Sequence, residues 1–460
     1  MRFVGASAAV FLLWVSFFGN QTVFAQAVGM SGFGEPLPEI AHAGANNIDR
    51  QNFMQAQMTF KEIFNLPQLG PIFNNRGCAA CHWQPSMGGS GEAISEIRVR
   101  DNPSGGPVHL FAADNCLRGG AQQQGSNSVF TAGLMSMPLG CQISDPNCNL
   151  SPCQKAELTA TTFSTDLPMC DPTSQAFANG GNCTAERQST PLFGLGLVEA
   201  VPDATLIALA ASEPADIRGI PKMLQELGST RVGRFGWKDD GATLRGFAVL
   251  ATSNELGLTT PDNPVEVSTC AMGESQFGVS LEDSASPEDT IDATGRAKLD
   301  RMVDFIRALS PPPRLAESGA AKLGGKIFEQ LGCAGCHVEN LHTASNPAAF
   351  VPTTTGGVPI TPSLNRALAN KEIHPFSDFL LHDMGSLGDG ISSGAAGPTM
   401  MRTAPLWGLR AKARYLHDGR AEDIPTAISL HDGQAASAAA AFKQLSADQQ
   451  QELLDFLDSI

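Results

Sequence analysis

Apolar residues recur at helical spacing in a few separated stretches of this chain, and the segments between them are polar, rich in Gly and Pro, and without period. From Asn52 to Phe64, Phe53, Ala56, Phe60, Ile63 and Phe64 share one face, which predicts a helix that Pro67, Gly70 and Pro71 end. Helices are also expected near Asp203–Ala211 and Ala242–Leu256. Ala297–Leu309 is amphipathic, with Leu299, Met302, Val303, Ile306 and Leu309 on one stripe. Pro311, Pro312 and Pro313 stop it and mark a boundary. A helix over Glu317–Gln330 follows. The chain closes on Ser446–Ile460, where Ser446 and Gln449 make a capping box ahead of Leu453, Leu454, Leu457 and Ile460. The order helix, irregular middle, closing helix thus occurs twice. The expected fold class is mainly α with large irregular regions, with short strands only in the first half.

Each opening helix is followed by the same short run, Cys78-Ala79-Ala80-Cys81-His82 and Cys333-Ala334-Gly335-Cys336-His337. C-x-x-C-H is the attachment signature of c-type haem. Two thiols at this spacing add to the two vinyl groups of one porphyrin, and the next residue sets an imidazole under the iron. A redox dithiol or half a zinc site explains one CxxC but not two that both carry the trailing His. Two cytochrome c-like domains are therefore expected, over 28–312 and 313–460, each with one covalently bound haem.

The 460 residues leave room for two such domains and sizeable cores. The formal net charge is -16 and no Lys/Arg run stands out, so nucleic acid and anionic membrane surfaces are not expected partners. Arg2, the apolar stretch Phe3–Phe18 and the small residues around Ala25 and Ala27 read as a secretory signal over 1–27. No other segment is long and apolar enough for a membrane span, so the mature chain is expected in a periplasmic or otherwise exported location. Cysteine usage agrees. Of 11 Cys, four lie in the two motifs, and six of the rest (Cys116, Cys141, Cys148, Cys153, Cys170 and Cys183) crowd into one polar, loop-rich segment. That segment, about 111–190, is expected to be an insertion held by disulfides, with Cys270 left over or joining the network.

Several longer runs resemble one family. FNNRGCAACHWQPSMGGSG, TPLFGLGLVEAVPD, GRFGWK, GGKIFEQLGCAGCHVENLHT, PFSDFLLHDMGSLGDG and RTAPLWGLRAKARYLHDGRAEDIPTAISLHDG occur in that order. They resemble the di-haem oxidoreductase (thiol-oxidoreductase-like) family of the di-haem cytochrome c peroxidase superfamily. The resemblance implies a di-haem enzyme that reduces hydrogen peroxide with electrons from a small donor protein of cytochrome or cupredoxin type. It also implies a calcium ion between the two units. The Cys-rich segment has no counterpart in the pattern. Rival expectations are a non-catalytic electron-transfer cytochrome and an oxidase or oxygenase acting on an organic or protein substrate.

His82 and His337 follow from spacing as proximal ligands. An iron with both axial positions filled passes electrons, whereas one with an open position binds a small oxidant. His431 stands where the resembling peroxidases carry the sixth ligand of the C-terminal haem, with Met384, Met400 and Met401 as alternatives. His109, the one His of the first unit after its motif, is a candidate distal ligand of the N-terminal haem or else a core His. His382 and His417 are motif members expected around the haems rather than on them. Glu199, a carboxylate in an apolar run, is the candidate acid/base for peroxide cleavage. Trp83 and Trp407 are candidates for an electron path or for packing.

Overall fold

The structure, a computed structural model, describes residues 32–42, 48–64, 75–91, 94–100, 107–109, 169–178, 183–263 and 291–460. The expected signal segment and most of the Cys-rich segment lie outside these residues. Residues 32–460 form one compact unit.

Two copies of one substructure organise it. In the first, α1 (Ile48–Phe60) leads to a 3₁₀ turn at Cys78–Ala80, and α5 (Lys298–Ala308) closes it by crossing α1. The clasp is aromatic: Phe305 lies 4.7 Å from Phe60 and 5.4 Å from Phe53, ring centre to ring centre. In the second, α6 (Gly319–Gln330) leads to a 3₁₀ turn at Cys333–Gly335, and α7 (Ala447–Ser459) crosses α6. Phe456 takes the role of Phe305, 5.4 Å from Phe328. Gly324 makes this second crossing possible, since a Cβ there would stand 1.9 Å from the Glu452 carbonyl oxygen.

Between the first turn and α5 run α2 (Leu195–Glu199), α3 (Asp203–Ser212) and α4 (Leu244–Leu256). The side chain of Thr243 caps α4 by accepting from Gly246 N–H, and Gly257, in the left-handed region, ends it. The helix over 52–64 differs from expectation. It starts at Ile48 and stops at Phe60, because Phe64 turns away to exchange hydrogen bonds with Arg76 (2.7 and 3.0 Å). The Ser446–Gln449 capping box forms with both of its bonds.

Strands occur in both halves, which corrects the expectation that they would be confined to the first. β3 (Cys183–Gln188) pairs antiparallel with β1 (Ile94–Arg100), which pairs with β2 (Pro107–His109). β4 (Met223–Glu226) and β5 (Ser229–Val232) form a hairpin. In the second half β6 (Leu341–His342) pairs β7 (Glu372–Ile373), and β8 (Leu381–Asp383) pairs β9 (Met400–Arg402). These late ladders are two or three residues long, too short to show an alternating pattern.

Candidate functional site

The two Cys-x-x-Cys-His runs adopt one local geometry. Each 3₁₀ turn ends with the His amide donating to the first Cys carbonyl, at 3.1 Å for His82 and 2.9 Å for His337. Each imidazole then donates from Nδ1 to a backbone carbonyl: His82 to Gly89 at 3.0 Å, His337 to Phe376 at 2.9 Å. That bond fixes the tautomer and leaves the Nε2 lone pair free for a metal. Each ring also lies against a Phe of its opening helix, Phe60 at 6.3 Å and Phe328 at 6.4 Å. Burial pushes both imidazoles down to about 4, so both stay neutral and able to ligate. Cys78, Cys81, Cys333 and Cys336 form no disulfide. Burial raises Cys78 and Cys81 to about 12 and Cys333 to about 11, keeping them as thiols.

A cavity of about 520 Å³ opens beside the first motif. Cys78, Cys81 and His82 line it, with Phe60, Leu192, Leu195, Leu244, Phe247 and Ile306 making an apolar wall. Met302, from the closing helix, places its sulfur 3.8 Å from Cys78 Sγ. Two thiols, one free imidazole nitrogen and a large apolar hollow suit a covalently held porphyrin. Among the described residues, no second His lines the cavity. The polar part of the lining includes a cluster from three separate segments: Lys222 Nζ donates to Asp240 Oδ1 at 2.6 Å, and Ser393 Oγ donates to the same oxygen at 2.6 Å. Burial works to raise the Asp240 carboxyl, but Lys222 and Ser393 outweigh it and hold the group ionised.

At the second motif a second imidazole is close. His431 donates from Nδ1 to Ala427 O at 2.8 Å, which again frees Nε2, and burial lowers its pKa. It lies near enough to His337 to add to the depression that burial causes there. His382, on β8, places Nδ1 3.6 Å from Cys336 Sγ and donates from Nε2 to Asp378 Oδ2 at 2.9 Å. Cys336, Asp378 and His382 are, among the described residues, the group of three side chains at metal-ligand spacing. Calcium takes six to eight oxygens, and a sulfur and an imidazole do not suit it. Met400 and Met401 lie on β9, where Met401 pairs in register with His382.

Other expected residues fall elsewhere. Glu199 is fully buried and bound by Arg307, whose Nε donates to Oε2 at 2.7 Å and Nη2 to Oε1 at 3.2 Å, while Leu244 N–H donates to Oε1 at 2.9 Å. It is not among the residues lining the cavity. His109 ends β2, and its side chain lies outside the described residues. His417 is buried beside Trp237, ring centres 6.2 Å apart, and Gln188 joins them by donating its N–H to His417 O and accepting from Trp237 Nε1. Trp237 lines the first cavity, a role its sequence neighbours do not signal. Trp407 packs against Gly194 ahead of α2. One expected disulfide lies within the described residues, Cys170–Cys183, and it tethers residues 169–178 to β3.

A family model described as "Di-haem oxidoreductase, putative peroxidase" matches residues 173–460. No curated protein matches the chain. Among solved structures, hydrazine synthase of Kuenenia stuttgartiensis, pressurised with xenon, is similar over 100% of both chains at 13% identity and a TM-score of 0.38. A MauG-like protein associated with microbial copper homeostasis is similar over 48% of this chain and 67% of its own, at 15% identity and a TM-score of 0.26.

Proposed function

Because the chain belongs to the di-haem oxidoreductase family, we propose that it is an exported peroxidase carrying two covalent haems c. One is held by Cys78, Cys81 and His82, the other by Cys333, Cys336 and His337, in two cytochrome c-like domains over 28–312 and 313–460. The observation that carries this reading is the paired geometry: twice, two thiols without a disulfide partner flank an imidazole whose Nδ1 is tied to a carbonyl. The Cys170–Cys183 disulfide supports an oxidising compartment.

The bound groups would supply iron that exchanges single electrons and can react with peroxide. The chain's own residues divide the labour. Near the second motif, His431 has a free Nε2 and would join His337 in holding that iron, which suits electron entry from a small donor protein. Among the described residues, the lining of the first cavity holds no His besides His82, which suits a peroxide site there. The reduction consumes two electrons and two protons per peroxide and yields two waters. The ionised Asp240 takes the proton from one peroxide oxygen and returns it to the other, with Lys222 and Ser393 holding it in place. Trp237, between the first cavity and His417, supports an electronic link between the centres.

The test is a haem count and a spectrum on the mature protein. Two thioether-linked haems per chain are expected, falling to one in the Cys333→Ser, Cys336→Ser double variant. One ferric haem should be high-spin at neutral pH and should respond to hydrogen peroxide. A single haem equivalent, or two low-spin haems inert to peroxide, would reject the reading.

A further inference from the structure

A segment of the first copy folds over the second motif. After α3, residues 213–220 run across the Cys333–Cys336 turn, where the Ile217 side chain fills the space beside Gly335. Ile220 and Leu381 exchange both backbone hydrogen bonds, at 2.9 and 3.1 Å. Gln434 Nε2 donates to Asp216 O and Arg218 O. The segment brings one carboxyl inside with it. Glu213 is 6% exposed; its Oε2 accepts from Gly219 N–H at 2.7 Å, and its Oε1 is buried with no donor.

That carboxyl meets another. Gly219, whose N–H holds Glu213, packs onto His382 so closely that a Cβ there would stand 2.7 Å from Nε2, the atom that donates to Asp378, and Asp378 is itself fully buried. Asp378 Oδ2 accepts from His382 Nε2, whose Nδ1 reaches Cys336 Sγ. With a hydrogen-bond partner at each ring nitrogen, His382 is best satisfied as the cation, donating at both ends. One positive charge then faces two carboxyls, and two adjacent buried carboxylates cannot both stay ionised at ordinary cost.

We propose that Glu213, set beside Asp378 and linked through it and His382 to the sulfur of Cys336, stores a proton and couples reduction of the C-terminal haem to uptake of one proton. The proposal rests on the reading that Cys336 carries a haem. One electron from the donor protein and one proton from water arrive together, the proton settling on Glu213. When the electron moves on to the first centre, Glu213 releases the proton. The charged and titratable groups facing Glu213 and Asp378 support this. Arg218 on the same segment is engaged by the Glu213 carbonyl, and His337 lies within electrostatic reach of Asp378. Arg402 and Asp239 also lie within electrostatic reach of Asp378, and burial pushes the Asp239 carboxyl well above its usual range. Burial, with Asp378 adding to it, lifts Glu213 to about 7, within reach of a small change in nearby charge.

The experiment is spectroelectrochemical titration of the full-length holoprotein from about pH 5.5 to about pH 8.5. In the wild type the C-terminal haem potential should fall as pH rises, approaching ~59 mV for each tenfold drop in proton concentration. In Glu213→Gln, which keeps the shape but cannot titrate, that dependence should flatten. A slope in Glu213→Gln equal to the wild type would overturn the proposal. A second measurement needs no variant: reduction of the C-terminal haem in weakly buffered wild-type protein should consume one proton per electron, and no uptake would equally overturn it. A chain carrying only one thioether-linked haem brings down the proposed function as well. Two haems with an unchanged slope bring down this coupling alone.

Discussion

Glu199 shows what a single residue can and cannot reveal. An acid in the run Leu195–Ala200 must be desolvated, and desolvation fits both a catalytic acid and a buried ion pair. Arg307, the residue that decides between them, is 108 positions away on α5, and no local pattern joins the two. Glu199→Gln should take from the buried Arg307 cation its two-bond carboxylate partner, leaving Asp304 at 4.0 Å, and cost about 3–5 kcal/mol, which thermal melting would read as a clearly lowered midpoint. Asp240→Asn should also cost stability, since it takes the carboxylate from the buried Lys222, but it should keep both haems while peroxide turnover falls by about 10²–10⁴. If Asp240→Asn turns over at the wild-type rate, proton transfer lies with another group. The two Cys-x-x-Cys-His runs, by contrast, could be picked out as candidate attachment sites from the sequence alone, because all five positions of each motif are contiguous. Asp240 was not, since its environment comes from Lys222 and Ser393, far apart in the chain.

At the scale of elements, the helices were legible to within a few residues wherever a stripe or a cap set them. The Ser446 box and the Ala297–Leu309 stripe are local codes, and both formed. What the sequence left open was which helix crosses which. The pairing of α1 with α5 and of α6 with α7 depends on Phe60 finding Phe305 and Phe328 finding Phe456, contacts that span most of each half. The strands around His382 were not legible, since three-residue ladders carry no period. The α6–α7 crossing makes a sharp prediction at Gly324. Its Cβ would overlap the Glu452 carbonyl, which is backbone and cannot swing aside. Gly324→Val should force the helices apart and cost at least about 1–3 kcal/mol. The measurement is thermal melting together with the haem count; a variant as stable as the wild type would mean the helices can part freely.

Across the whole molecule, the repeat was readable as an order of elements, but the polar seam between the copies was not. That seam is built from charges contributed by distant segments. Arg187 of β3 donates twice to Asp389 Oδ2, Lys238 reaches Asp389 Oδ1 at 2.8 Å, and His417 lies beside them, buried. The seam should make the molecule acid-sensitive, and the sign can be worked out. Burial lowers His417 to about 4, below the ~6.5 of an unfolded chain, so between those values the unfolded state binds more protons. Stability therefore falls as pH drops from about 6.5 toward 4, by up to roughly 3 kcal/mol from this one group. Burial opposes the charge on Asp389, but Arg187 and Lys238 outweigh it and hold the carboxyl well below its usual range. Its contribution is complete above the unfolded value near 4 and is lost as pH falls further toward the folded one. Two successive losses are thus expected, the first carried by an imidazole and the second by a carboxylate. Melting temperatures of the holoprotein from about pH 8 to about pH 3 should stay level, then decline in the His417 window, then fall again. His417→Gln should remove the first decline and leave the second. A His417→Gln curve parallel to the wild type throughout would show that neutral burial of this imidazole does not set the acid limit.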